Sequence, residues 1–204
     1  MPSRPPRPAM PASAEPFVAG LVLAAGGSSR LGRPKQLLPF GTATLLDHTV
    51  QTARTCGFDQ LIVAIGGAAD EVRRRVDLSG VDVVVNEAYG AGCSSSIAAA
   101  MGALDPRADL LVLLLGDQPG ITSDTVAALL AGRGGAALAV CRYDDGLGHP
   151  FCFSRKRFDT LRSLHGDKAV WKLVAAAGDE VEHVPVAGPV PIDVDTWADY
   201  EAVR

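Results

Sequence analysis

Apolar blocks alternate along the chain with segments whose hydrophobic residues recur at helical spacing, the signature of a parallel sheet covered by helices. Strands are predicted over Phe17–Ala24, Gln60–Ile65, Val81–Val85 and Asp109–Leu115. The last reads Leu-Leu-Val-Leu-Leu-Leu after its acid. With no polar face to expose, it belongs at the centre of the sheet. Helices are predicted between them: Leu45–Cys56, with Leu46, Thr49, Val50 and Ala53 on one stripe and Gly57 as its stop, then Asp70–Val76, the small-residue segment Ser94–Leu104, and Ser123–Leu130 with Ser123 as N-cap.

Beyond these the rhythm changes. Ala136–Arg142 and Pro150–Phe153 read as strands joined by a turn at Asp144-Asp145-Gly146-Leu147-Gly148, hence as an antiparallel pair. Ser154–Leu164 and Lys168–Ala177 are predicted helical, Glu180–Val186 and Val190–Val194 extended, and Thr196–Val203 a closing helix capped by Thr196. The expected class is α/β, a mostly parallel sheet with an antiparallel insertion, and ligands of such sheets bind outside the carboxyl ends of the strands.

Composition narrows the picture. The chain has 204 residues, 48% hydrophobic and 21% charged, which suits one domain with a full-sized core. Its 19 Lys and Arg against 23 Asp and Glu give a net charge of −4, without the basic excess that binding a phosphate backbone requires, so no nucleic-acid partner is expected. Apolar runs fall short of the ~20 residues that span a bilayer, so no membrane is expected either. Cys56, Cys93, Cys141 and Cys152 form no Cys-x-x-Cys pair and are read as reduced thiols of a cytoplasmic protein. Residues 1–16 hold six prolines, two arginines and no apolar run. They are expected to be a disordered tail without an export signal, Met10 being an alternative start, and residues 17–204 a single domain.

Three strand ends carry candidate chemistry. The first is Leu23-Ala24-Ala25-Gly26-Gly27-Ser28-Ser29-Arg30-Leu31-Gly32-Arg33-Pro34-Lys35. A small, glycine-rich turn lets backbone N–H groups approach an anion, and Arg30, Arg33 and Lys35 add positive charge where phosphates would lie. Gly27 and Gly32 have P-loop spacing, but Arg33-Pro34 stands where Lys and Ser or Thr are needed. The dinucleotide fingerprint is missing too, and Asp47 lies in a helical pattern rather than at a strand end. The second end is Gly116-Asp117-Gln118-Pro119, where Asp117 either holds Mg²⁺ or caps the following turn. The third is Asp193-Val194-Asp195-Thr196, where strand alternation would turn both acids to one side, or Asp195 would merely cap the helix beside Thr196. It is not the Asp-x-Asp-x-Thr of phosphoaspartate hydrolases, since Thr196 follows Asp195 directly.

Leu-Ala-Ala-Gly-x-Ser-x-Arg-x-Gly-x-x-Lys after an N-terminal strand resembles the signature of the MobA-like nucleotidyltransferases, and closest to it among them are the molybdenum cofactor cytidylyltransferases. The resemblance implies a three-layer, Rossmann-like fold of the nucleotide-diphospho-sugar transferase kind. It implies that the first loop wraps a triphosphate, with contacts from Leu23, Ala24, Ala25, Gly26, Gly27, Ser28, Arg30 and Lys35. Ala24-Ala25-Gly26 is similar to the CTP-using branch, whereas guanylyltransferases carry Ala-Gly-Gly. Gly-Asp-Gln-Pro is similar to the stretch holding the family's metal-binding Asp, here Asp117, and Asp193 through Tyr200 resembles its closing motif, with Asp195 as second metal ligand. Asn86 through Ser96 resembles a loop near nucleotide and acceptor; it implies Asn86 and Ser94 on the nucleotide, Gly92 and Ser95 on the acceptor, although the serines could equally cap the next helix. Gly148-His149-Pro150 and Gly166-Asp167 resemble the acceptor-side pattern, with Gly148 and His149 as contacts. There the family continues Gly-Ala-Arg, and this chain reads Ala169-Val170-Trp171.

The activity so implied is transfer of CMP from CTP to a phosphorylated acceptor, most closely molybdopterin or the molybdenum cofactor, with Mg²⁺ or alternatively Mn²⁺ as cofactor. Arg30, Lys35 and Asp117 are the catalytic candidates, and a molybdenum hydroxylase apo-enzyme would receive the product. Two other readings compete: an NAD(P)H-dependent quinone-type dye reductase, against which the missing dinucleotide fingerprint speaks, and a non-catalytic cofactor-binding chaperone, whose mark would be loss of Lys35 or Asp117. A lone His149 before Pro is otherwise structural, His48, His165 and His183 have no zinc-ligand spacing, and Cys93 has no partner base in sequence.

Overall fold

A computed structural model describes residues 15–28, 30–166 and 168–204. Most of the expected Pro-rich tail, together with Ser29 and Asp167, lies outside them. In chain order the strands are β1 Val18–Ala24, β2 Pro39–Phe40, β3 Ala43–Thr44, β4 Gln60–Ile65, β5 Asp82–Val85, β6 Leu110–Leu115, β7 Leu138–Arg142, β8 Leu147–Ser154 and β9 Val181–Pro185. The α-helices are α1 Leu45–Thr55, α2 Ala69–Arg75, α3 Cys93–Met101, α4 Ser123–Gly132, α5 Phe158–Arg162, α6 Ala169–Ala177 and α7 Trp197–Val203.

Seven strands form one sheet in the order β5-β4-β1-β6-β8-β7-β9. β1 pairs in parallel with β4 and β6, β4 with β5, and β7 with β9, whereas β8 runs antiparallel to both its neighbours. The mostly parallel α/β sheet with an antiparallel insertion is therefore the observed architecture, and β8 alone is reversed. The Leu-rich strand is central: Leu110, Leu111, Val112, Leu113 and Leu114 are all at most 4% exposed. A strand buried on both faces has no use for alternation, which is why its sequence shows none.

Both faces are covered. Val50 and Ala53 of α1, Val72 of α2 and Val126 and Leu129 of α4 pack with Val22, Val63 and Val112 on one side. Ile97 and Ala100 of α3, Leu161 of α5 and Leu173 of α6 pack with Leu21, Ile62, Leu113 and Phe151 on the other. A third, smaller cluster joins Tyr200 of α7 to Leu31, Leu38 and Leu45 and seats the closing helix beneath the first loop.

Several local expectations are corrected. Thr122, not Ser123, caps α4, because its side chain accepts from the Thr125 backbone N–H. α3 is shorter than predicted and stops at Met101. Ser154–Leu164 is not one helix: Arg155–Arg157 make a 3-10 turn before α5. Residues 190–194 run beside the sheet without joining it, and Pro191, lacking an N–H, cannot donate to a ladder. The small β2–β3 hairpin had no hydrophobic alternation to announce it.

Candidate active site

The first loop leaves β1 at Ala24 and turns back through Ser28, which holds a left-handed backbone with φ 52°. What fixes its path is Gln36, a buried amide that no motif or periodicity singles out. Its Nε2 donates to the carbonyls of Ala24 (2.8 Å) and Gly26 (2.9 Å). The Ser28 hydroxyl in turn accepts from the Lys35 backbone N–H at 2.9 Å. The loop lies close against the segment after β4, where only glycine fits: a Cβ on Gly66 would sit 2.7 Å from the Ala25 carbonyl oxygen.

Asp117 follows β6 at the same edge of the sheet. Its backbone carbonyl accepts from the Val194 N–H at 3.0 Å, which draws the 190–194 segment alongside and carries Asp193 and Asp195 to the site. The Lys35 ammonium contacts the carboxylate of Asp117 and lies 2.8 Å from Asp195 Oδ1. Arg30 reaches Asp195 Oδ2, also at 2.8 Å, from the exposed rim. Asp195 is therefore not a helix cap; Thr196 caps α7 in a capping box with Asp199.

The charges are coupled through Lys35. Burial acts to lower its pKa, but the charge and hydrogen bonds of Asp117 and Asp195 overcome that and hold it above its usual value. Burial acts to raise Asp195, and Lys35 and Arg30 outweigh it, so its pKa is lowered. Asp193, with burial and the negative charges of Asp117 and Asp195 against it, is pushed up to about 6.

Lys35, Asp117, Asp193 and Asp195 line one cavity of about 540 Å³ together with Leu23, Ala24, Ala25, Gly26, Gly92, His149, Lys168 and Trp171, whereas Arg30 is not part of this lining. Gly27 and Ser28 line a smaller depression on the outer side of the loop, with Gly32, Arg33 and Pro34. Other candidates stand behind the wall. Asn86 donates both amide hydrogens inward, to Ser95 Oγ (2.8 Å) and Ser96 Oγ (2.9 Å), and the Ser95 hydroxyl is 2.8 Å from the Gly92 carbonyl. Ser94 is buried in the first turn of α3, and Gly148 packs against Val190 and Tyr143. None of these four is part of the cavity lining, and Gly92, with no side-chain bond, is the N-cap of α3. Trp171 and Asp193 join the wall instead.

Asp117 and Asp195 suit a hard divalent cation, since both carboxylates already converge on one positive atom, the Lys35 nitrogen. Among the described residues no set of three His, Cys, Asp or Glu side chains forms a ready-made cage. Two carboxylates leave most of a Mg²⁺ or Mn²⁺ shell open to phosphate oxygens and water.

Residues 20–183, with the loop and Asp117 inside them, match the MobA-like NTP transferase domain. The chain belongs to that family. A crystal structure of an Rv0371c homologue from Mycobacterium sp. strain JC1 is 53% identical, covering 92% of this chain and 94% of that one with a TM-score of 0.86. Rv0371c of Mycobacterium tuberculosis H37Rv in complex with manganese is 47% identical over 92% of this chain and 97% of that one, with a TM-score of 0.83. Nicotine blue oxidoreductase of Paenarthrobacter nicotinovorans is 38% identical over 116 residues, 56% of this chain; the match spans only 56% of that relative. In this MobA-like NTP transferase the glycine-rich loop, Asp117 and Asp195 meet at one sheet edge. No described helix is long and apolar enough to cross a membrane.

Proposed function

We propose that the protein transfers CMP from CTP to a phosphorylated acceptor, molybdopterin or the molybdenum cofactor, and releases pyrophosphate. The observation that carries this reading is the contact of one ammonium, Lys35, with both Asp117 and Asp195 in the cavity onto which the glycine-rich loop opens. An acceptor phosphate oxygen attacks the α-phosphorus in line. The new P–O bond forms as the bond to the β-phosphate oxygen breaks, and pyrophosphate carries the electron pair away. No protein nucleophile is needed, so positioning and neutralisation of charge suffice. The Leu23–Gly26 backbone cradles the phosphates, Lys35 and Arg30 take up the charge of the leaving pyrophosphate, and Asp117 and Asp195 would hold the divalent cation. That cation, Mg²⁺ or Mn²⁺, supplies Lewis-acid neutralisation at the phosphate oxygens when bound. CTP is favoured by Ala24-Ala25-Gly26, and we place the reaction in the cytoplasm, with a molybdenum hydroxylase apo-enzyme as recipient of the product.

The test is to incubate the protein with Mg²⁺, each of the four NTPs and molybdopterin, and to measure pyrophosphate. CTP-selective release is expected, and the absence of release with any of the four NTPs would overturn the reading. The similarity to a protein named an oxidoreductase favours one second reading, a dye reductase; NADH oxidation without pyrophosphate would establish it.

A further inference from the structure

The two acids proposed to hold the divalent cation already hold a cation of the protein's own. Lys35 Nζ contacts the Asp117 carboxylate and lies 2.8 Å from Asp195 Oδ1, while Arg30 takes Asp195 Oδ2 at 2.8 Å. The charge of the whole cavity closes as well: its lining sets Asp117, Asp193 and Asp195 against Lys35 and Lys168, and Arg30 at the rim supplies the third positive charge. His149, whose pKa burial pushes down to about 3, adds none. A divalent ion approaching the free protein therefore meets no net negative charge. To reach both carboxylates it would have to expel the Lys35 ammonium, whose side chain is only 14% exposed and would be stranded without its partners.

Lys35 is built to move its head and not its backbone. Its N–H donates to Ser28 Oγ at 2.9 Å, it opens the 3-10 turn Lys35–Leu37, and the next residue, Gln36, bonds the Ala24 and Gly26 carbonyls. The main chain is pinned, whereas the ammonium rides on a flexible four-carbon stem. That stem runs beside the glycine-rich loop, since a Cβ on Gly26 would sit 4.0 Å from Lys35 Cε. A triphosphate lying on the loop would give the ammonium a second anion to turn to, with no movement of the backbone.

We infer that Lys35 is a latch: in the free protein it occupies the carboxylates of Asp117 and Asp195, and a triphosphate on the loop draws it away and opens them to the divalent cation. The inference rests on the proposed function for the triphosphate and the cation, and adds the order in which they enter. Nucleotide and metal then assist one another, and such coupling is reciprocal. The contact also keeps the acids from capturing a cation that brings no substrate with it.

Mn²⁺ titrated into the nucleotide-free full chain, followed by electron paramagnetic resonance, is the first test. Wild-type binding should be weak, and Lys35→Met should bind Mn²⁺ about tenfold more tightly, the scale of a typical coupling between sites. Lys35→Arg keeps the charge and should stay weak. Mn²⁺ should also raise the urea unfolding midpoint of Lys35→Met more than that of the wild type, which reports a folded variant and its new ligand together. The wild-type chain gives an independent readout. Its lysines are Lys35, Lys156, Lys168 and Lys172, so a ¹³Cε-lysine NMR spectrum is simple, and the Lys35 signal is the one lost in Lys35→Arg. CTP without metal should shift that signal, and Mg²⁺ without CTP should leave it in place. Mn²⁺ bound no more tightly by Lys35→Met than by the wild type, a Lys35 signal unmoved by CTP, or one that Mg²⁺ alone shifts as far, would overturn the latch. The two readings fail separately: a Lys35 signal moved by CTP and tightened Mn²⁺ binding in Lys35→Met, without pyrophosphate release, removes nucleotidyl transfer and leaves the latch, whereas release by a wild type whose Mn²⁺ affinity equals that of Lys35→Met does the reverse.

Discussion

The Lys35 ammonium lies 2.8 Å from Asp195 Oδ1 while also contacting Asp117, joining a residue of the first loop to acids from two later parts of the chain. Lys35 and Asp117 are largely shielded from water, at 14% and 17% side-chain exposure, so their pairing is much less screened than that of exposed Arg30. Replacing Asp117 with Ala should lower turnover roughly 100- to 1,000-fold, the usual effect of losing one electrostatic contact to a transition state. Pyrophosphate release under saturating CTP measures it, and a near wild-type rate would remove Asp117 from the mechanism.

Lys35→Met leaves two carboxylates facing each other without their shared cation. Stability should fall by about 2 kcal/mol, measured by urea unfolding, because a removed partner strands the charge it served. An unchanged unfolding midpoint would show that the ion pairs contribute nothing to the fold.

Gln36→Leu strips the donor from the Ala24 and Gly26 carbonyls. The cost should be about 2 kcal/mol of stability. Because the loop and not the chemistry is disturbed, KM for the nucleotide should rise more than kcat falls. Steady-state kinetics across CTP concentrations separates the two.

Thr196→Ala removes the cap of α7, and with it the bond its hydroxyl donates to Asp199 Oδ2 at 2.8 Å. About 1 kcal/mol should be lost. Asp199 Oδ2 also accepts from the Asp195 backbone N–H, so the variant should loosen Asp195. Weaker Mn²⁺ binding, read by electron paramagnetic resonance, is the expected sign.

His149 makes stability depend on pH. Its folded pKa of about 3 lies below the unfolded value near 6.5, so between them the unfolded chain binds the extra proton. The contribution is therefore whole above about pH 6.5 and is lost as pH falls toward 3, amounting to a few kcal/mol at the acid end. His149→Phe should flatten this part of the curve of unfolding free energy against pH. Parallel curves for the two proteins would show that the imidazole is not desolvated as described.

What could be read from the chain followed from how strongly physics marks each segment. β4 was legible to its end residues, and β1 and β6 to within one, because continuous β-branched and leucine runs have few other uses. Thr196 was legible as a cap because its place before a short amphipathic segment is distinctive. Gln36 was invisible: its role is to bond carbonyls distant in sequence, and nothing about a glutamine after a lysine encodes that. Asp193 and Asp195 do both reach the cavity, but not through strand alternation; the bond from Val194 N–H to Asp117 brings them there. Trp171 stood out only as a departure, and its contact with Phe151 and His149 could not be known before the hairpin and α6 were placed side by side.

The lone reversed strand has a further consequence. β8 pairs Phe151 with Leu113, so continuing that register by two residues sets His149 beside Leu115, two residues before Asp117. Had β8 run with its neighbours, its opening residues would have been at the opposite rim, some 20 Å away for a strand of ordinary length. The hairpin thus delivers a ring from the entrance of one strand to the exit of another. Because that ring arrives on a segment separate from the glycine-rich loop, mutation can reshape one bank of the cleft while the other keeps its geometry.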